Sequence, residues 1–348
     1  MKYFITISLA TVLLIAGFIG YRQNSFTSDG LPYDDEQVGL QEQIIIHFSH
    51  VVAENTPKGL AASRFAELVK EKTKGRVLVQ VYPNGILYSD DNELEALKKN
   101  EIQMIAPTFS KMTDLLPTWQ VLDLPFVFHN EEQVQKLYQN NALKTALLDE
   151  LEDEQIKGLD FWHNGFKQIA ANDKLIQQVD DFTNLRIRIM PSEMLQQQFT
   201  LLRATPVTTS FGNVYTQIEK KGVEAQENTI SNLYSKGFHT FEKNITLSNH
   251  GILGYAVLMN ESFWKKLEPN IQNQIMDALN EMKNWQLMTS HNINQKSLTE
   301  LKKLPNVTIH TLTKDEKQQW QAQLAPIYSR YDKQIDDHYY KLLREQIN

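Results

Sequence analysis

A strand, a helix and a second strand follow one another directly near the start of the folded sequence, and this unit constrains the fold more than any other feature. IIIHF at 44–48 is an apolar run of strand length, and VLVQVYP at 77–83 alternates as a strand. Between them Thr56 is a suitable N-cap, Pro57 suits the first helical position and Gly75 suits the C-terminal stop. The unit predicts an α/β protein with a mostly parallel sheet.

The same alternation of helix and strand recurs along the chain. NELEALKKN at 92–100 reads as a helix and IQMIAP at 102–107 as a strand, and a second α/β block begins near FWHNGFKQIAAN at 161–172. A long amphipathic helical region is predicted from Ser262 to Leu304, before a last strand and a charged C-terminal helix. Two α/β halves joined by several crossings predict a cleft, where small ligands bind.

Charge and composition exclude several classes of function. The formal net charge is -7, and the basic residues are scattered, so neither DNA nor RNA is an expected partner. The chain has no cysteine, which excludes disulfides, thiolate nucleophiles, cysteine metal sites and an N-terminal lipoprotein anchor.

The N-terminus carries an export signal. Lys2 precedes the apolar run FITISLATVLLIAGFIG, and no clear A-x-A cleavage site follows it. The run is near the lower length limit of a membrane-spanning helix, so residues 1–21 are either a signal peptide or an uncleaved anchor. Residues 22–42 are polar and aperiodic and are interpreted as a tether, with the rest of the chain outside the cytoplasm.

No catalytic signature is present in the sequence. The nucleophile elbow, the zinc helix, the phosphate loop and the dinucleotide fingerprint are all missing, so we expect neither an enzyme nor a bound cofactor. His47 and His50 should point to opposite faces of a strand, which argues against a metal site. Glu93 and Glu95 are expected to lie on a solvated helix and to face water.

Cationic and amide side chains near predicted strand ends are better candidates for a site. In NLRIRIMPS, period-2 alternation puts Arg186 and Arg188 on one face of a strand. Lys167 lies in NGFKQ and Asn228 follows the short strand GVEA. An arginine fork matches a carboxylate, lysine supplies a point charge, and asparagine supplies a neutral donor and acceptor. Spacing alone leaves open whether Arg188 contacts a ligand or a surface carboxylate.

Several motifs, in order from about Ile44 to near the C-terminus, resemble the extracytoplasmic solute receptors of TRAP transporters, the DctP family. They include HVVAENTPKG, LDLPFVF, WHNGFKQIAAN, LRIRIMPS and the segment from GVEAQENT to SNHGILGY. Among these receptors the chain is most similar to the branch that binds four-carbon dicarboxylates such as malate, succinate and fumarate. The resemblance implies an α/β, two-domain cleft fold like that of periplasmic binding proteins, with mixed sheets and a long helix that spans both domains.

The resemblance also implies a set of ligand-binding residues. The family arginine that grips the ligand carboxylate corresponds to Arg188 rather than Arg186, which we expect to be a solvated neighbour. The other implied positions are Lys167, Asn228, Phe211 as an aromatic wall, and, near the cleft, His50, Lys58 and Lys111.

The implied function is capture of a small organic acid by cleft closure and its delivery to TRAP membrane permease subunits, with the receptor acting as a monomer in the periplasm or tethered to the inner membrane. Domain I is predicted to comprise residues 43–163 and 254–296, and domain II residues 164–253 and 297–348. The alternative is a ligand-sensing subunit for a membrane signalling partner, for which an uncleaved N-terminal anchor is expected.

Overall fold

The computed structural model describes residues 43–139, 142–334 and 337–347. The predicted signal peptide or anchor at 1–21 and the tether at 22–42 lie outside these ranges. Within them, no helix combines the length and the apolarity needed to cross a bilayer.

The strands of the described residues form one mixed sheet of nine strands, in the order β2-β1-β3-β8-β4-β7-β5-β6, with β9 paired to β8. Their bounds are β1 Ile44–Ser49, β2 Val77–Tyr82, β3 Met104–Ile105, β4 Ile156–Ala171, β5 Arg186–Ile189, β6 Thr205–Thr208, β7 Ala225–Thr229, β8 Asn244–Asn260 and β9 Thr308–Thr311.

The α-helices of the described residues are α1 Pro57–Lys72, α2 Glu93–Lys98, α3 Phe109–Met112, α4 Glu131–Tyr138, α5 Ala142–Asp149, α6 Glu193–Leu201, α7 Val214–Glu219, α8 Ile230–Ser235, α9 Glu261–Lys266, α10 Pro269–Lys302, α11 Lys314–Leu324, α12 Pro326–Gln334 and α13 Asp337–Ile347. Short 3₁₀ helices occur at Pro117–Asp123, Glu150–Glu154, Val179–Phe182, Phe211–Asn213 and Phe238–Thr240.

Two long strands, β4 and β8, make the centre of the sheet antiparallel. They pair antiparallel along most of their length, and β4 also pairs antiparallel with β7. Most of the parallel pairs lie toward the two ends of the sheet, namely β1 with β2 and β3, and β5 with β6 and β7; β9 also pairs parallel with one end of β8. The expectation of a mostly parallel sheet is therefore wrong at the centre, because periodicity identifies strands but the connections set their direction.

The first unit folds as its capping signals predict. The Thr56 hydroxyl accepts a hydrogen bond from the backbone N–H of Gly59 at 3.2 Å, and Pro57 is the first residue of α1. Phe65, Leu68 and other apolar residues of α1 are buried in the larger of the two hydrophobic clusters that the described residues form.

The predicted helical region from Ser262 to Leu304 is divided into α9 and α10, with Pro269 at the start of the second helix. The 34 residues of α10 give it a length of about 51 Å. It packs against α1, β4 and α8. A long helix is therefore present, as the family resemblance implied.

Candidate ligand-binding site

A pocket is lined by side chains that come from several elements of the fold. The walls combine apolar groups with buried charges. The lining residues are Val51, Val52, Lys58, Asp90, Glu93, Pro107, Thr108, Lys111, Lys167, Arg188, Met190, Pro191, Phe211, Glu227, Asn228, Asn232, Leu253 and Tyr255.

Arg188 is buried in the lining of this pocket, and its guanidinium uses two of its five N–H donors in hydrogen bonds to the backbone. Its Nε and Nη2 donate to the Thr209 carbonyl at 2.9 and 2.8 Å. A guanidinium has five N–H donors, so these two bonds fix its orientation and leave donors on Nη1 and Nη2. Burial lowers the pKa of Arg188, while the carboxylate of Asp90 opposes that change, and arginine keeps its charge in proteins.

Arg186 lies on the same face of β5 as Arg188 but in a more exposed environment. Its side chain is 44% exposed and pairs with Glu224 at 3.2 Å. Arg188, two residues further along β5, is 2% exposed. The two arginines therefore differ in burial, and of the two it is Arg188 that lines the pocket.

Lys167 lies in a buried network of charges. Its Nζ is 3.1 Å from Glu227 Oε1 and 3.5 Å from Asp123 Oδ1. Burial by itself lowers the pKa of Lys167, but the two carboxylates outweigh it and the pKa is raised. Burial would raise the pKa of Glu227, yet Lys167 and His250 bring it down to about 2. Lys167 is therefore a cation held by two carboxylates in the lining of the pocket.

Asn228 belongs to a chain of side-chain amides. Its Nδ2 donates to Gln226 Oε1 at 3.0 Å, and its Oδ1 accepts from Asn232 Nδ2 at 3.0 Å. Gln226 in turn donates to Glu242, a buried carboxyl whose pKa is raised by burial to about 8. These bonds orient Asn228 and leave one of its amide hydrogens for the pocket.

Lys58 is a third buried cation of the lining. Its Nζ donates to the Ala106 carbonyl at 2.9 Å and lies 4.0 Å from the centre of the Tyr255 ring, within range of a cation–π interaction. Burial lowers the pKa of Lys58, and the nearby acidic groups of Glu93 and Asp90 oppose that change. Lys58 thus contributes a partly desolvated positive charge.

Phe211 and Lys111 also line the pocket, as implied. The backbone N–H of Phe211 donates to Asp90 Oδ2 at 2.8 Å, which joins the loop before α2 to the 3₁₀ helix at Phe211–Asn213. Lys111 Nζ lies 3.8 Å from Asp114 Oδ2.

His50 is the one implied residue outside the lining of this pocket. It is fully buried, while the two residues after it, Val51 and Val52, line the pocket. Burial, aided by the charge of Lys58, lowers the pKa of His50 to about 3, so the ring is neutral at physiological pH.

The sequence reasoning missed several lining residues, among them Asp90, Glu93, Glu227 and Tyr255. The expectation that Glu93 faces water is wrong: it is 1% exposed, whereas the Glu95 side chain is 65% exposed. Their separation by two residues on a helix, about 200° apart, was the available signal that only one of them could face the solvent. Among the described residues, no group of three or more His, Asp or Glu side chains could hold a metal ion.

The fold and this pocket of fixed cations and amides define a solute-binding protein. The sequence profile of the DctP family, described as bacterial extracellular solute-binding protein family 7, matches residues 48–334. The chain therefore belongs to this family of solute-binding proteins.

Individual relatives have related names and folds. The C4-dicarboxylate-binding protein DctB of Bacillus subtilis (strain 168) is 44% identical over 325 residues, which is 92% of each chain. A TRAP periplasmic solute-binding protein of Shewanella oneidensis, solved with bound succinate, has a TM-score of 0.84 and 36% identity over 88% of this chain and 100% of its own. Another, from Pseudomonas aeruginosa PAO1 with bound L-malate, has a TM-score of 0.80 and 32% identity over 83% of this chain and 100% of its own.

Proposed function

We propose that this protein is the extracytoplasmic receptor of a TRAP transporter and that it captures a four-carbon dicarboxylate, such as succinate, malate or fumarate, for delivery to a membrane permease. The observation that carries the proposal is the buried guanidinium of Arg188, which is oriented by Thr209 and keeps free donors toward the pocket. A carboxylate that enters the pocket meets a charged fork there and gains charge-assisted hydrogen bonds. The succinate and L-malate bound by the two structural relatives support the choice of ligand class.

The remaining predicted site residues fit this role to different degrees. Lys167, Lys58, Asn228, Phe211 and Lys111 line the pocket and are proposed to contact the ligand. The cations supply charge for a second carboxylate, and Phe211 supplies an apolar wall. His50 does not line the pocket and is proposed to support the lining residues that follow it in the chain. Its neutral ring packs against Phe48, with the two ring centres 6.1 Å apart.

Ligand capture is proposed to close the two predicted domains, 43–163 with 254–296 and 164–253 with 297–348, upon each other. A hinge in β4 is supported by a break in its pairing with β8 between His163 and Gly165, where Gly165 has φ of +136°. The side chain of Asn294 in α10 anchors this point by donating to the Asn164 carbonyl at 2.6 Å. Only the difference in ligand contacts between open and closed forms can drive such a closure.

Calorimetric titration with succinate, L-malate and fumarate tests the proposal. Arg188→Ala removes two charge-assisted hydrogen bonds of about 1.5–3 kcal/mol each, so we expect affinity to fall by about 10²–10⁴-fold. Arg188→Lys keeps the charge but loses the fork and should also bind weakly. The matched control is Arg186→Ala, because Arg186 lies on the same strand and pairs with Glu224.

Near-native affinity of Arg188→Ala would refute the role of Arg188, and absence of binding of all three acids by the unaltered protein would refute the ligand class. Recovery of the bound acid unchanged, measured by mass spectrometry, is expected for a receptor; turnover would contradict the proposal.

A further inference from the structure

Glu93 is a buried carboxyl in the wall of the pocket that has no role in the function proposed above. It is 1% exposed, and its Oε2 is buried with no hydrogen-bond partner among the described residues. A buried polar atom without a partner is costly and is uncommon in folded proteins. Because Glu93 lines the pocket, a ligand can supply the missing partner.

The charged and titratable groups around Glu93 come from four directions. Lys58 faces it from α1, Asp90 from the preceding loop, Lys111 from α3 and Tyr255 from β8. Lys58 donates a hydrogen bond to the Ala106 carbonyl and makes a cation–π contact with the Tyr255 ring. Lys111 pairs with Asp114. Neither lysine is therefore positioned as a dedicated ion-pair partner for Glu93.

Burial favours the neutral form of this carboxyl. It raises the pKa of Glu93, the nearby Asp90 carboxylate acts in the same direction, and Lys58 and Lys111 only partly oppose them. A protonated carboxyl is an O–H donor, whereas an ionised one only accepts hydrogen bonds. A ligand carboxylate that approaches Glu93 adds another negative charge and favours the protonated form further.

We propose that Glu93 is a specificity-determining residue that donates its carboxyl O–H to a carboxylate of the ligand, so that capture of a dicarboxylate dianion is accompanied by uptake of a proton. This inference rests on the proposed dicarboxylate-binding function. In the bound state the ligand gains a donor from Glu93 in addition to the guanidinium of Arg188. The pocket thus matches two carboxylates with two donors of different kinds.

Because ligand binding is coupled to proton uptake by Glu93, the binding affinity should depend on pH. The proton is taken from solvent on binding, so affinity should be highest where Glu93 is already protonated in the free protein. Above the pKa of Glu93 in the free protein, each rise of one pH unit should weaken binding by up to about tenfold, because one proton is taken up. This dependence is measured where the ligand itself is fully ionised.

Calorimetry of succinate binding near neutral pH in phosphate and in Tris buffer tests the inference, since the two buffers differ in ionisation enthalpy. For the unaltered protein the apparent binding enthalpy should differ between the buffers by the amount expected for uptake of up to about one proton. Glu93→Gln, which keeps the shape and an N–H donor, should bind without this difference and with an affinity that no longer changes with pH. The matched control is Glu95→Gln, because Glu95 is exposed and pairs with Lys99 on the same helix.

A second readout does not depend on the variant's stability. Difference infrared spectra of the unaltered protein on succinate binding should gain a band from a protonated carboxyl. Succinate binding without a buffer dependence, or a buffer dependence that persists in Glu93→Gln, would overturn the inference and leave the proposed function intact. Absence of succinate binding by the unaltered protein would instead refute the proposed function.

Discussion

The buried ion pair of Lys167 and Glu227 allows the effect of a substitution on the free energy of unfolding to be predicted from the structure. Both side chains are buried, with Lys167 Nζ 3.1 Å from Glu227 Oε1. Glu227→Gln would keep the shape and remove the negative charge. Among the residues that the structure describes, Lys167 would then keep Asp123, at 3.5 Å, as its ion-pair partner. A buried cation that loses its closer counter-ion destabilises the folded state.

The magnitude follows from the pKa of Glu227. The folded protein lowers this pKa from 4.5 to about 2, chiefly because the charge of Lys167 outweighs the effect of burial. At about 1.36 kcal/mol per pKa unit, the native environment favours the ionised form by about 3 kcal/mol. Because the folded pKa is depressed, this stability is present above pH 4.5 and is lost as pH falls toward 2.

Urea unfolding of the ligand-free protein measures the effect. We expect Glu227→Gln to lower the free energy of unfolding by about 3 kcal/mol at neutral pH and to flatten its decline in acid. Lys167→Met combined with Glu227→Gln should recover part of the loss, since no unpaired charge remains on Lys167. The matched control is Glu224→Gln, which removes a partly exposed carboxylate paired with Arg186 and should cost less than about 1 kcal/mol.

The reasoning is refuted if Glu227→Gln unfolds at the same urea concentration as the unaltered protein at neutral pH. It is also refuted if the acid dependence of the two proteins is the same, because the depressed pKa of Glu227 then contributes nothing to stability.

Two further predictions concern buried positions. Burial raises the pKa of Glu242 from 4.5 to about 8, so its contribution to stability is fully present below pH 4.5 and is lost as the pH rises to about 8. In urea unfolding, Glu242→Gln should flatten this decline of the free energy of unfolding. An unchanged slope with pH would contradict the assignment. A Cβ on Gly254 would lie 2.1 Å from Phe109 Cε2, whereas one on Gly251 would lie 3.7 Å from Lys167 Cδ. Gly254→Ala should therefore lower the free energy of unfolding by about 1–3 kcal/mol or more and Gly251→Ala much less, and equal unfolding midpoints for the two variants would contradict the packing argument.

Local signals in the sequence determined the elements and the class of fold. The cap at Thr56 and Pro57 and the apolar runs of β1 and β2 depend on residues close together in the chain, and the structure confirms them. The family resemblance also distinguished Arg188, which lines the pocket, from Arg186, which is partly exposed. Period-2 alternation could not do so, because Arg186 and Arg188 occupy the same strand face.

Tertiary structure alone decided the environment of each charged side chain. The direction of pairing between β4 and β8 depends on long connections, and so does the enclosure of Glu93 by groups from α1, α3 and β8. Glu93 and Glu95 are the same residue type on the same short helix, yet one lines a pocket and the other faces water. Burial and electrostatic potential are sums over neighbours that are distant in sequence, so they appear only once the chain has folded.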